Sequence, residues 1–165
     1  MVLSDAGDIF QGRLEALLKA LLSDGDVENA YMISAIVGEI GNNSFDHNIG
    51  NWPDVPGVFF GYALDGEVRC IVLADRGQGV LKTLERVRPD LCSDIDALRL
   101  AFTEKISGRA PEDRGNGLKF VKENVKDRAF HLEFFSGLAG ARLNASAEFS
   151  EERESFHGCL AVLSL

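Results

Sequence analysis

Two β-rich runs, Val58 to Leu64 and Glu67 to Ala74, meet at the dipeptide Asp65-Gly66. Asp-Gly between apolar, aromatic and β-branched runs supplies the left-handed backbone that a tight reversal needs. The pair therefore reads as an antiparallel hairpin. This feature constrains the fold most. Hairpin strands need only a short turn, whereas a parallel pair needs a crossover of a dozen or more residues. The surrounding segments are accordingly expected to lie against an antiparallel sheet rather than to wind through a parallel one.

Upstream, Asp8 to Leu22 sets Ile9, Phe10, Leu14, Leu17, Leu18, Leu21 and Leu22 at helical spacing, with one buried stripe. Ser23-Asp24-Gly25-Asp26 stops that helix and caps the next. The second helix runs from Val27 to about His47 and buries Tyr31, Ile33, Ile36, Val37 and Ile40. Gly41-Asn42-Asn43-Ser44 is poor helix material. A helix that continues through it has a packing or chemical reason. Asn48 to Gly57 reads as a loop, Asp75 to Gly79 as a glycine loop, and Val80–Val87 and Ile95–Phe102 as short helices separated by Pro89. Thr103 to Asn116 is polar and loop-like, and Leu118–Val125 is helical. His131–Ser136, Ala141–Phe149 and Cys159–Leu165 read as strands. The order predicts one α+β domain over residues 1–165, a two-layer α/β sandwich with residues 1–25 as an N-terminal helix.

Of the 165 residues, 45% are hydrophobic and 26% charged, which excludes a disordered chain. A chain of this length buries roughly two-thirds of its unfolded surface without disulfide or metal staples. Lys and Arg number 17 against 26 Asp and Glu, a net charge of −9. That balance gives no broad footprint for nucleic acid, although backbone N–H groups can still hold an anion locally. No apolar run reaches the ~18 residues of a membrane span. The start, with Asp5 and Asp8, does not resemble a secretory signal. Cys70, Cys92 and Cys159 are odd in number, without CxxC spacing, and are not at ligand spacing with His47, His131 or His157. A cytoplasmic location and no Cys/His metal site are the expectations.

Three motifs carry candidate chemistry. In Glu39-Ile-Gly-Asn-Asn43-Ser-Phe-Asp-His47, residues four apart make a polar row of Glu39, Asn43 and His47 on one helix face. An amide oxygen beside a carboxylate suits a hard cation such as Mg²⁺, and the carboxylate could instead orient or deprotonate a nucleophile. Taken singly, the row is also a solvated helix end. Asp75-Arg-Gly77-Gln-Gly79 follows an apolar strand, where glycines allow a sharp turn and close approach to a ligand. Asp75 there can accept a hydrogen bond from an amino group. Class I methyltransferases place a similar motif after a strand, and a plain turn looks the same. Arg114-Gly115-Asn-Gly117-Leu118 opens a helix whose N–H groups suit a phosphate, or is an ordinary helix start. There is no P-loop and no Rossmann fingerprint.

In this order the motifs resemble the N, G1 and G2 boxes of the GHKL ATPases. That superfamily holds gyrase-type topoisomerases, heat-shock chaperone ATPases, histidine kinases and mismatch-repair proteins. The match runs from about Asp26 to the C-terminus. The resemblance implies a Bergerat ATP-binding fold, a mixed, mainly antiparallel sheet covered by helices on one face. By the same resemblance, Asp75 would accept from the adenine amino group and Asn43 would ligate Mg²⁺. Gly77 and Gly79 would let the backbone pass the nucleotide. Gly115 and Gly117 would cradle phosphates, with His47, Arg114 and Leu118 also in the ATP-binding set. Residues 80–116 would form the ATP lid, with Ala101-Phe102-Thr103 resembling the start of the F box. Phe156-His-Gly158-Cys159 stands where the family has a strand beginning Gly-Thr, with Cys159 in place of the Thr. Asp46 stands where histidine kinases carry a cation, so Arg114 or Lys119 would have to supply the positive charge.

With no phosphoacceptor helix pair, the chain is most similar to stand-alone members such as the serine-kinase anti-sigma factors of bacterial partner switching. The resemblance implies an ATP-dependent regulatory kinase or switch with Glu39 as base. The partners would be ATP, a protein such as a small phosphoacceptor domain and a second copy in a homodimer, with no nucleic acid or membrane. A nucleotide-gated binding module without catalysis and a slow ATPase without an acceptor fit the same motifs.

Overall fold

The computed structural model describes residues 6–46, 57–106 and 117–165. The hairpin forms between β1 (Val58–Ala63) and β2 (Cys70–Asp75) with a longer connection than a two-residue turn. Such a turn would pair Leu64 with Glu67, whereas the strands pair Val58 with Asp75 and Ala63 with Cys70. The displacement is by two residues, which keeps every side chain on its face. Arg69 is held elsewhere, its carbonyl accepting from the Leu165 N–H at 3.0 Å and its guanidinium paired with Asp24.

The remaining strands are β3 (His131–Leu143) and β4 (Ala147–Ser164), in the sheet order β1-β2-β4-β3. Where three strands were expected there are two. Ala141–Phe149 contains a reversal at residues 144–146, where Asn144 Oδ1 accepts from the Ser146 N–H at 2.8 Å. That Asx turn breaks a run that alternates apolar and polar residues throughout. The expectation of a mixed sheet is corrected too. Among the described residues all three strand pairs are antiparallel: β1 and β2 form the hairpin, and β4 lies between β2 and β3 and runs against both.

The pairing of β3 with β4 slips at irregularities on both sides of Gly137, from Ser136 opposite Cys159 to Gly137 opposite Phe156 and then Ala139 opposite Glu151. Before them Leu132, Phe134 and Ser136 are buried; after them Ala139, Ala141 and Leu143 are. The bulge thus keeps one face of a long strand turned inward. β2 alternates half-buried with buried positions along its length, as a sheet covered on one face requires.

The covering layer is α1 (Ala6–Leu22), α2 (Val27–Asp46), α4 (Asp94–Thr103) and α5 (Gly117–Lys126), with a short α3 (Gly79–Leu84). Asp26 caps α2, its Oδ1 accepting from the Asn29 N–H at 3.2 Å. Leu17, Ile36, Val37, Ile71, Leu73 and Leu132 are wholly buried between the layers. Gly41 has a packing reason. A Cβ there would lie 2.6 Å from Phe10 Cε2, and the Phe10 ring sits 5.4 Å from both Phe45 and Phe60. Residues 80–106, within the segment assigned to the lid, hold all of α3 but its first residue and all of α4, around a small core of Leu84, Ala97 and Leu100. The rest of the expected lid, 107–116, lies outside the described residues. Among the described residues no helix is long and apolar enough to cross a membrane.

Candidate functional site

Asp75 ends β2 on the same face as Ile71 and Leu73, so the alternation that builds the core also buries a carboxylate, to 7% exposure. Burial of a charge is tolerated when hydrogen bonds replace water. Three segments provide them. Oδ1 accepts from the Gly77 N–H at 2.8 Å and the Cys159 N–H at 3.3 Å, and Oδ2 accepts from the Ser44 hydroxyl at 2.9 Å. A turn, β4 and α2 therefore converge on one side chain.

Gly158 permits that convergence. It has φ +88°, and a Cβ there would overlap the Asp75 carbonyl and lie 2.7 Å from Gly77 N. Gly79, at φ +78°, lies beside Ser136, whose buried Oγ accepts from the Val80 N–H at 2.9 Å. Cys159 adjoins the same cluster. Burial raises its thiol pKa well above the usual range, and the Asp75 charge adds to the rise, against a hydrogen bond with Ser136 that lowers it. The thiol stays protonated at neutral pH.

The second group is built on α2. Glu39 is exposed and Asn43, one turn on, is half-buried. α5 begins against them: a Cβ at Gly117 would lie 2.7 Å from Glu39 Oε2 and 3.6 Å from Asn43 Nδ2. Only a residue without a side chain leaves that space open. Leu118, next on α5, packs against the core and anchors this helix start. Glu39, Asn43 and Gly117, far apart in sequence, thus meet at one point. Asn43 and Ser44 are consecutive, so α2 joins this group to Asp75. His47, Arg114 and Gly115 lie outside the described residues, as does the side chain of Asp46.

Ser136 was missed, although its place in the strand was a signal. It shares parity with Leu132 and Phe134, and a hydroxyl at a core position needs a partner. Among the described residues no three His, Cys, Asp or Glu side chains cluster as a metal site. A hard cation beside Asn43 would take that amide oxygen together with ligand oxygens and water. The arrangement offers an oriented buried acceptor at Asp75, an exposed carboxylate able to take a proton at Glu39, and a helix start that favours negative charge. No family model matches the chain, and no curated protein matches it.

Proposed function

We propose that the chain is an ATP-binding regulatory protein of the GHKL superfamily, with a Bergerat-type domain, acting as an Mg²⁺-dependent protein kinase or partner switch. One observation carries this reading: α2 joins the meeting of Glu39, Asn43 and Gly117 to a buried carboxylate, Asp75, held by donors from three segments. The residues fit a purine nucleotide. Asp75 is an acceptor suited to an exocyclic amino group, and Gly117 leaves open a space that a Cβ would fill.

Mg-ATP would supply a transferable phosphoryl group with part of its charge neutralised. The chain's own residues then have separable tasks. Asp75 selects the amino-bearing base. Asn43 offers an oxygen to the cation. The start of α5 holds negative charge with its N–H groups. Glu39 carries the proton-accepting oxygen for an incoming hydroxyl or water.

Calorimetry with ATP and GTP, with and without Mg²⁺, tests the binding half. ATP is expected to bind and GTP to bind at least tenfold more weakly, as an unpaired buried acceptor implies. Equal affinities would remove Asp75 from the base site, and no binding of either would end the proposal. Labelled ATP with Mg²⁺ and cell lysate tests transfer. Binding without labelling of any protein, or release of phosphate, would reduce the chain to a nucleotide-gated binding module.

A further inference from the structure

Ser44 is a polar residue on the buried side of a helix, 6% exposed, and its hydroxyl crosses to the end of β2. A serine within a helix commonly turns its hydroxyl back to its own backbone. Here it donates to Asp75 Oδ2, while the backbone N–H groups of Gly77 and Cys159 serve Oδ1. Resting on the nucleotide-binding reading, we infer that Ser44 is a positioning residue that sets the base preference of the site and ties it to the helix carrying Glu39 and Asn43.

The geometry gives the reason. The two backbone donors act on Oδ1, and the Ser44 hydroxyl acts on the other oxygen, Oδ2. A donor on Oδ2 fixes the plane. A fixed plane presents its acceptor edge in one direction, which rewards an amino group there and repels a carbonyl oxygen. A swinging carboxylate discriminates less, because it can turn away from the wrong base. Gly77 and Cys159 belong to the sheet end, whereas Ser44 belongs to α2 and directly follows Asn43. A shift of α2 therefore moves the Asn43 amide and the Asp75 carboxylate together. The base end and the phosphate end of a bound nucleotide would be mechanically linked through two consecutive residues.

The test is calorimetry of ATP, GTP and adenosine on the wild type, Ser44→Ala, Ser44→Thr and Ser44→Cys, each checked by thermal unfolding. Ser44→Ala is expected to reduce the ATP-over-GTP preference by about tenfold, through weaker ATP binding and GTP binding no weaker than in the wild type. Adenosine should weaken by the same factor as ATP, because the lost contact lies at the base. Ser44→Thr keeps the hydroxyl and restores the preference. Ser44→Cys keeps the size with a weaker donor and falls between, so the comparison survives if the alanine variant does not fold. Equal weakening of ATP and GTP, or a lower melting temperature with an unchanged ratio, would make Ser44 purely structural and overturn the inference. A wild type that binds no adenine nucleotide overturns both this inference and the reading beneath it. A wild type that prefers ATP, with variants that prefer it equally, overturns this inference alone.

Discussion

Two carboxylates beside β4 show how the same chemistry serves different ends. Asp75 is buried, and its donors include two backbone N–H groups and a hydroxyl from three separate segments. Glu152 lies on the part of the β3–β4 hairpin that extends beyond β2. It accepts from Arg142 at 3.0 Å and from Ser150 at 2.9 Å, with the Arg142 and Glu152 side chains 37% and 21% exposed. Glu133 and the face of the Phe135 ring complete that patch around Arg142. Glu152 is thus served by its own hairpin, in water, and such a pair contributes about 0–1 kcal/mol. Asp75 is reached only by folding the whole domain. Long-range convergence on a buried charge is what a site requires; local pairing of exposed charges is what a strand surface does.

The largest expected effect lies at the site end. Glu39→Ala should lower turnover by ~10²–10⁴, the usual loss of a positioned base, while ATP affinity stays within a few-fold. Kinetics with an identified acceptor, together with calorimetry and circular dichroism, separate the two. Full turnover in the variant would show that the exposed carboxylate at the start of α5 has no chemical role.

A matched pair of glycines sharpens the contrast next. At Gly158 a Cβ meets the Asp75 backbone and the chain holds φ +88°; at Gly140 it meets the tip of Glu152. Gly158→Ala should destabilise by at least about 1–3 kcal/mol, because backbone cannot swing aside. Gly140→Ala displaces a flexible side chain and should cost about 1 kcal/mol or less. Thermal unfolding of both variants measures this. Similar losses would mean that the two ends of the hairpin are equally constrained.

The third expectation concerns the buried carboxylate directly. Asp75→Asn keeps the shape but replaces one acceptor oxygen with a donor, which then faces donors from Ser44, Gly77 or Cys159. ATP binding should weaken by about tenfold or more. A variant that folds and binds ATP as well as the wild type would place the base elsewhere.

How much of this was legible in the sequence follows from how local each signal was. The Asp-Gly hairpin, the helical stripes and the Asp26 cap depend on neighbours within a few residues, and the structure has them, except that Ile9 and Tyr31, read into the stripes, are exposed. The strand break at Asn144 was lost because apolar alternation ran through it, while the Asx turn rests on one side chain. Gly41 was recognisable as anomalous but not as a seat for Phe10, since nothing in the spacing relates α1 to the middle of α2. Asp75, Glu39, Asn43 and Gly117 were singled out by motif, and that α5 starts against Glu39 and Asn43 is a tertiary fact. Ser44 and Ser136 were less legible still. Their meaning depends on which strand end faces which helix, and that is decided by the packing of the entire sheet.

The smallest effect tests the other side of the comparison. Arg142, by its hydrogen bond, holds the Glu152 carboxyl below the ordinary glutamate range, and Ser150 adds to the shift. A group whose pKa is lowered in the folded chain stabilises the fold above its unfolded pKa, and that contribution fades as pH falls through the folded value. Glu152→Gln should therefore lower stability near neutral pH by less than about 1 kcal/mol, given the exposure of the pair. The gap from wild type should close as the solution is acidified through the carboxylate range, and it should shrink in molar salt. Thermal unfolding of the two proteins across pH and salt reads this directly. A gap that persists at low pH would mean that Glu152 acts by packing beside Gly140 rather than by charge, and the contrast with Asp75 would then rest on burial alone.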